Sequence, residues 1–275
     1  MALCDDDKLY IVKCPNCSSG PNVLANEMLG TELLRAVGLP TPNWKFARFS
    51  STTRYDPAEG VDPQNREHIG CGLHFASELI EPSSGGRLYS FLPRCLFPRV
   101  LNRPDFIGAL IFDIWAQSTK ARQVAFLERG SSHIFDALFI DQGYLFGGPH
   151  WSVRPRPGKS LCLENSFYGN SFNNKLAHHW FSRISTATPS IIAPTIKSIP
   201  RDWYKGDIAA LKNTLLGRIH RVEDLFWQEM DGMNLPLRKA VISSYEPTSV
   251  SSSRILRNRP HQTRHSIGRT LLPVA

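Results

Sequence analysis

The sequence predicts an α+β protein of two lobes, a small mixed β/α lobe followed by a mainly helical one, with a cleft between them. Three observations carry this reading. Leu9-Tyr10-Ile11-Val12-Lys13 is a short β-branched and aromatic run that breaks at Pro15-Asn16, so a strand and a turn open the chain. Residues 22–37 then place Val23, Leu24, Met28, Leu29, Leu33, Leu34 and Val37 at three- and four-residue spacing, and Gly38 with Pro40 ends that helix. Near the other end, Ile208, Leu211, Leu215, Ile219, Val222 and Phe226 keep a helical period from about Gly206-Asp207 to Met230.

Between these anchors the elements follow in order. Residues 41–50 read as a strand, and residues 50–67, rich in Thr, Asp, Pro, Asn and Arg, as a loop or insertion. Residues 88–100 are apolar but hold Pro93 and Pro98, which excludes one continuous helix. Arg103-Pro104-Asp105 opens a helix through Phe106, Leu110, Ile111, Ile114 and Trp115. Residues 124–127 and 137–140 are two strands whose Gly130-Ser131-Ser132 connection marks a hairpin. Residues 173–184 and 191–199 carry two weaker helical patterns. The lobes are assigned to residues 1–95 and 96–240, and residues 241–275 to a disordered basic tail.

Composition excludes several classes. Of 275 residues, 41% are hydrophobic and 20% charged, which is ordinary for a globular chain and not for a disordered or fibrous one. The net charge of +8 is uneven: from Glu246 onward five arginines face one acid, so that segment holds +4 and the body the other +4. A flexible arginine-rich tail can attract phosphate backbones, but it has no recognition motif and no aromatic residue for stacking, so a nucleic-acid partner is not expected. The longest apolar passage, residues 108–116, is interrupted by Asp113 and is too short to span a membrane. The start, Met-Ala-Leu-Cys-Asp-Asp-Asp-Lys, is acidic where a secretory signal is basic, and a cytoplasmic location is expected. Six cysteines stand at 4, 14, 17, 71, 95 and 162. Cys14 and Cys17 form a C-x-x-C with no second pair at zinc spacing and a turn-like context, so free thiols are the better reading.

Three places offer chemistry. Lys13 ends a buried-looking strand, where a lysine needs a partner, and Glu27 lies on the next helix. A strand lysine held by a helix glutamate positions a cation on nucleotide phosphates, although each residue alone also fits a solvated face. Asp141 follows the apolar run 137–140 and precedes Gln142-Gly143, where a carboxylate can reach a divalent cation, or simply form an Asp-x-Gly turn. The third is the segment 115–123, between the helix and the hairpin, which is the place of a catalytic loop in a kinase-like lobe.

Taken together, the residues resemble the HipA-like kinase family, within the wider protein-kinase-like fold. The resemblance runs through Tyr10-Ile11-Val12-Lys13, Asn26-Glu27-Met28-Leu29-Gly30, Gly38-Leu39-Pro40 and Gly72-Leu73-His74-Phe75. It continues in Asn102-Arg103, Phe106, Phe112-Asp113-Ile114-Trp115, Arg122-Gln123, Ile140-Asp141-Gln142-Gly143, Phe146-Gly147-Gly148, Ile199-Pro200, Trp203-Tyr204 and Gly206-Asp207. It implies a two-lobed kinase-like fold, the cofactors ATP and Mg²⁺, and phosphoryl transfer to a protein Ser/Thr hydroxyl. It also implies that Lys13 and Glu27 form the cofactor-binding pair, Lys13 as the phosphate-binding lysine and Glu27 as its helix partner, and that Asp141 is the metal-binding aspartate.

The loop departs from the family pattern, which reads approximately Asn-x-Asp-x-Arg-Gln where this chain has Ser118-Thr119-Lys120-Ala121-Arg122-Gln123. Lys120 and Gln123 are therefore the candidate catalytic positions, with Lys120 where the resemblance places the aspartate. A protonated ammonium cannot accept a hydroxyl proton, and losing a general base typically costs a factor of about 10² to 10⁴. Asp113, seven residues before Lys120, reads as a structural helix residue and not as a replacement base. These residues fit two readings, a weakly active kinase homologue and a non-catalytic pseudokinase that serves as a binding module. A second departure is that only twelve residues precede Lys13, too few for the usual nucleotide-covering strand pair with its glycine turn. Either the start is truncated or Ser18-Ser19-Gly20 supplies the cover.

Overall fold

The β-branched run that opens the chain builds β2 (Leu9–Lys13), and β1 (Ala2–Leu3) folds back on it through the pairs Ala2↔Tyr10 and Leu3↔Leu9. A computed structural model describes residues 1–15, 20, 22–50, 71–82, 85–152 and 173–232. The expectation that no strand pair precedes Lys13 is thus corrected in part: a two-residue strand fits, turned through Asp7 at φ 59° with no glycine. With β3 (Trp44–Phe49) and β4 (Gly72–Glu78) the strands form an antiparallel sheet in the order β1-β2-β4-β3. No element was expected over residues 72–78, yet β4 is central, with Phe75 opposite both Lys13 and Phe46. Its middle residues His74, Phe75 and Ala76 are all buried, so polar and apolar residues do not alternate and the period-2 signal is lost.

Helix α1 (Val23–Val37) matches the predicted span and stops at Gly38, whose φ of +83° is the left-handed conformation that glycine adopts without strain. A second antiparallel sheet, in the order β5-β6-β7, consists of β5 (Leu88–Tyr89), β6 (Gln123–Glu128) and β7 (Phe135–Ile140). Pairing of Leu88 with Leu127 attaches β5 to this second sheet, upstream of the expected lobe boundary at 95. A 3₁₀-helix, Arg94–Arg99, holds Pro98, and α2 (Asp105–Trp115) follows, buried from Phe106 onward.

Two helical expectations need correction. Residues 173–199, expected as two segments, form one helix, α3 (Asn174–Ser198), that runs through Pro189 and Pro194. Its buried stripe of Ala177, Phe181, Ile184, Thr188, Ile192 and Thr195 is unbroken, and burial of that stripe outweighs the lost backbone donors. Two of the stripe's members are threonines, which hid its continuity. The helix expected over 206–230 is divided into α4 (Ile208–Ile219), capped by Asp207 on the N–H groups of Ala209 and Ala210, and α5 (Val222–Gly232). The apolar period carries on across the break at His220-Arg221, so periodicity alone cannot show it.

One apolar core joins α1, α2, the second sheet and α3 to α5, with Leu29, Phe112, Trp115, Phe139, Ile184 and Phe226 at its centre. A smaller cluster of Tyr10, Ala47 and Ala76 sits on the first sheet. No helix among the described residues is long and apolar enough to cross a membrane. Among the described residues, Cys4, Cys14, Cys71 and Cys95 form no disulfide. Cys17, Cys162, Ser18, Ser19 and the tail 241–275 lie outside the described residues. The C-x-x-C, phosphate-cover and disordered-tail expectations go with them.

Candidate active site

The site begins with the last residue of β2. Lys13 reaches Glu27 of α1 and Asp141, just after β7, with its Nζ 2.5 Å from Glu27 Oε1 and 2.5 Å from Asp141 Oδ1. Residues 128 positions apart in sequence thus meet on one ammonium. The Lys13 and Asp141 side chains are 26% and 23% exposed, whereas Glu27 is only 3% exposed. Solvent, or a ligand, can therefore approach the lysine and the aspartate but not the glutamate.

Glu27 has a further task. Its Oε2 accepts the backbone N–H of Gln142 at 3.1 Å, and its Oε1 that of Gly143 at 2.7 Å. Next to it, the Asn26 amide donates to the carbonyls of Gly143, Leu145 and Gly148, and its Oδ1 accepts from Trp151 Nε1 at 2.7 Å. One turn of α1 thereby clamps the whole segment 141–148 and holds Asp141, at φ 59°, with its carboxylate toward Lys13. The approach is tight: a Cβ on Gly30 would lie 2.6 Å from Leu145 Cδ1 and 2.8 Å from Gln142 Cβ. Asn26 and Gly30 stand in the motif that carries the resemblance, but a helical pattern gives neither a role. Only the packing partner does.

Electrostatics follow from burial and pairing. Burial works against the Lys13 ammonium, but the Glu27 and Asp141 carboxylates outweigh it and hold its pKa above the ordinary lysine value. Burial pushes Glu27 up, opposed by Lys13. For Asp141, burial is overcome by the adjacent Lys13, and its carboxyl stays below the usual carboxylate range.

The predicted loop residues divide. Thr119 N and Oγ1 both donate to Tyr144 O, at 2.9 and 3.1 Å, which lays residues 118–120 along the segment that follows Asp141. Lys120 is exposed, and its Nζ sits 3.3 Å from the centroid of the Tyr144 ring, a cation–π contact. Against burial, it also adds to the lowering of the Asp141 carboxyl by Lys13 and Glu27. Gln123 opens β6 opposite Ile140 and lines the cleft. Asp113 is fully buried, with its two carboxylate oxygens bound to Nε and Nη2 of Arg122, and Arg122 Nη1 donates to Gln142 Oε1. That is the structural role expected of it, since it buttresses the segment behind Asp141.

Lys13, Glu27 and Asp141 stand at one end of a cleft of about 380 Å³ between the two sheets. Its walls are mostly apolar, with Ile11, Phe75, Leu79 and Ile80 on one side and Leu88, Ala125 and Ile140 on the other. Such a volume, with mostly apolar walls and an ammonium beside Asp141 in its lining, suits a small ligand with a flat apolar part and an anionic part.

Comparison with known proteins agrees with this layout. Residues 1–118 match the family described as HipA-like kinase. Over these residues, under half of the chain, the sequence is similar to that family. The matched span holds Lys13 and Glu27 and ends two residues before Lys120. A solved structure described as the Helicobacter pylori proinflammatory kinase CtkA aligns with a TM-score of 0.50 at 13% identity, over 82% of this chain and 92% of that one. At that identity the likeness shows the fold, which is kinase-like. No curated protein sequence matches the chain.

Proposed function

We propose that this HipA-like chain binds ATP in the inter-sheet cleft, as a kinase homologue whose phosphoryl transfer to a protein Ser/Thr hydroxyl is weak or lost. The observation that carries the reading is the meeting of Lys13, Glu27 and Asp141 in the lining of a mostly apolar cleft. The donor set fits a nucleotide: the apolar walls suit a base, and the Lys13 ammonium suits phosphate oxygens, held in place by the buried Glu27. Asp141 is the one residue assigned to a divalent cation, a class of ion usually bound by one or two carboxylates together with phosphates. ATP, when bound, supplies the phosphoryl group.

The chain's own contribution is positioning. Glu27 couples the lysine to the segment 141–148, so cofactor binding and loop placement depend on one carboxylate. The missing part is a base. Lys120, in the loop position that the resemblance assigns to aspartate, is a cation resting on Tyr144 and has no capacity to accept a hydroxyl proton while charged. This favours the pseudokinase form of the reading, a nucleotide-dependent binding module.

The test is incubation with radiolabelled ATP and Mg²⁺, with the native chain beside Lys120→Asp. The expected result is little or no label on the native chain and a gain of about 100-fold or more on the variant, the lower end of the range for a restored base. Strong labelling of the native chain, equal in the variant, would remove Lys120 from the explanation.

A further inference from the structure

We infer that this site binds the triphosphate of a nucleotide without needing a divalent cation, Lys120 supplying positive charge that a metal ion otherwise brings. The inference rests on the nucleotide-binding reading above and adds to it a statement about charge.

The donor set at the phosphate end of the cleft is unusual in three respects. Among the described residues, no group of three or more His, Cys, Asp or Glu side chains could hold a metal ion, so a cation here would depend on one or two carboxylates and on the phosphates themselves. The carboxylate assigned to a cation, Asp141, already gives its Oδ1 to Lys13 at 2.5 Å, so a metal must share this carboxylate with an ammonium. Glu27 offers no substitute, because its oxygens are taken by Lys13 and by the N–H groups of Gln142 and Gly143, and its side chain is 3% exposed.

Against that weak set for a metal stand two ammonium groups. Lys13 is fixed by its carboxylates. Lys120 is exposed, and the segment that carries it is fastened to the Asp141 segment by the two Thr119–Tyr144 hydrogen bonds. The ring of Tyr144, three residues beyond Asp141, holds the Lys120 ammonium by a contact with a π-face and not with a carboxylate. A contact of that kind leaves the full positive charge available to phosphate oxygens. A lysine in place of an aspartate also shifts the local charge by two units, which is the charge of one divalent cation.

Thermal unfolding and calorimetric titration of the full chain test this, with ATP in EDTA, ATP in Mg²⁺, and Mg²⁺ alone. Expected is a rise of the unfolding midpoint with ATP in EDTA, with the affinity in Mg²⁺ no more than about threefold tighter. Lys120→Ala is expected to weaken ATP in EDTA about tenfold, the scale of one charge-assisted contact. Binding only when Mg²⁺ is present overturns the inference and leaves the nucleotide reading standing. Unchanged affinity of Lys120→Ala in EDTA overturns the role of Lys120. Absence of binding in every arm overturns the nucleotide reading itself.

Discussion

A lysine whose Nζ lies 2.5 Å from two carboxylates does more than carry a charge. Removing it leaves Glu27 almost wholly buried with its ammonium partner gone, and losing one partner of a buried pair costs more than the pair contributes. Lys13 is a quarter exposed, so the cost is below that of a fully buried pair: Lys13→Met is expected to lose about 2 kcal/mol in urea unfolding. The same variant should lose stabilisation by ATP. It should also raise the titration midpoint of Asp141, read by carboxyl NMR, because the ammonium that holds it down is gone. The sign for stability follows from the lowered carboxyl. The Lys13–Asp141 contribution is fully present above the ordinary aspartate value and is lost as pH falls through the lowered folded value. An Asp141 midpoint that Lys13→Met leaves in place would show that the pairing contributes nothing in solution.

At the scale of elements, α1 and the segment 141–148 behave as one unit. Gly30 is the contact point, and an added methyl must push Leu145 and Gln142 aside. Gly30→Ala is therefore expected to destabilise by about 1–3 kcal/mol even though alanine favours helix, the sign opposite to that of an exposed helical glycine. Asn26→Ala leaves the carbonyls of Gly143, Leu145 and Gly148 without their shared donor and should lower the unfolding midpoint and loosen ATP binding together. Ordinary ATP affinity in a destabilised Asn26→Ala chain would separate the clamp from the site. The elements were unevenly legible in the sequence. Strand β2, helix α1 and the hairpin β6–β7 have strong local patterns and clear stops. Strand β4 does not, because it is covered on both faces, and α3 passes two prolines whose local cost is overridden by packing.

For the whole molecule, residues Met1–Tyr245 cluster as a unit separate from Glu246–Ala275. A chain ending at Tyr245 is expected to unfold within about 2 °C of the full chain and to keep its response to ATP, since small midpoint shifts accompany changes well under 1 kcal/mol. A drop larger than that would place stabilising contacts in the last thirty residues. The same truncation removes five of the arginines, so any salt-sensitive affinity for polyanions should fall with it.

Residue types alone determined the existence of most elements, the mixed-then-helical order, and the short roll of ionisable groups worth attention. Each of those depends on neighbours within a turn or two, which hydrophobic period and Gly/Pro punctuation record. Tertiary structure alone decided that Lys13, Glu27 and Asp141 share one set of contacts, that Asn26 ties down the segment after β7, and that Lys120 rests on Tyr144. Those are distances between residues far apart in the chain. They are set by how α1 packs against the loop after β7, and no local pattern encodes which carboxylate an ammonium will meet.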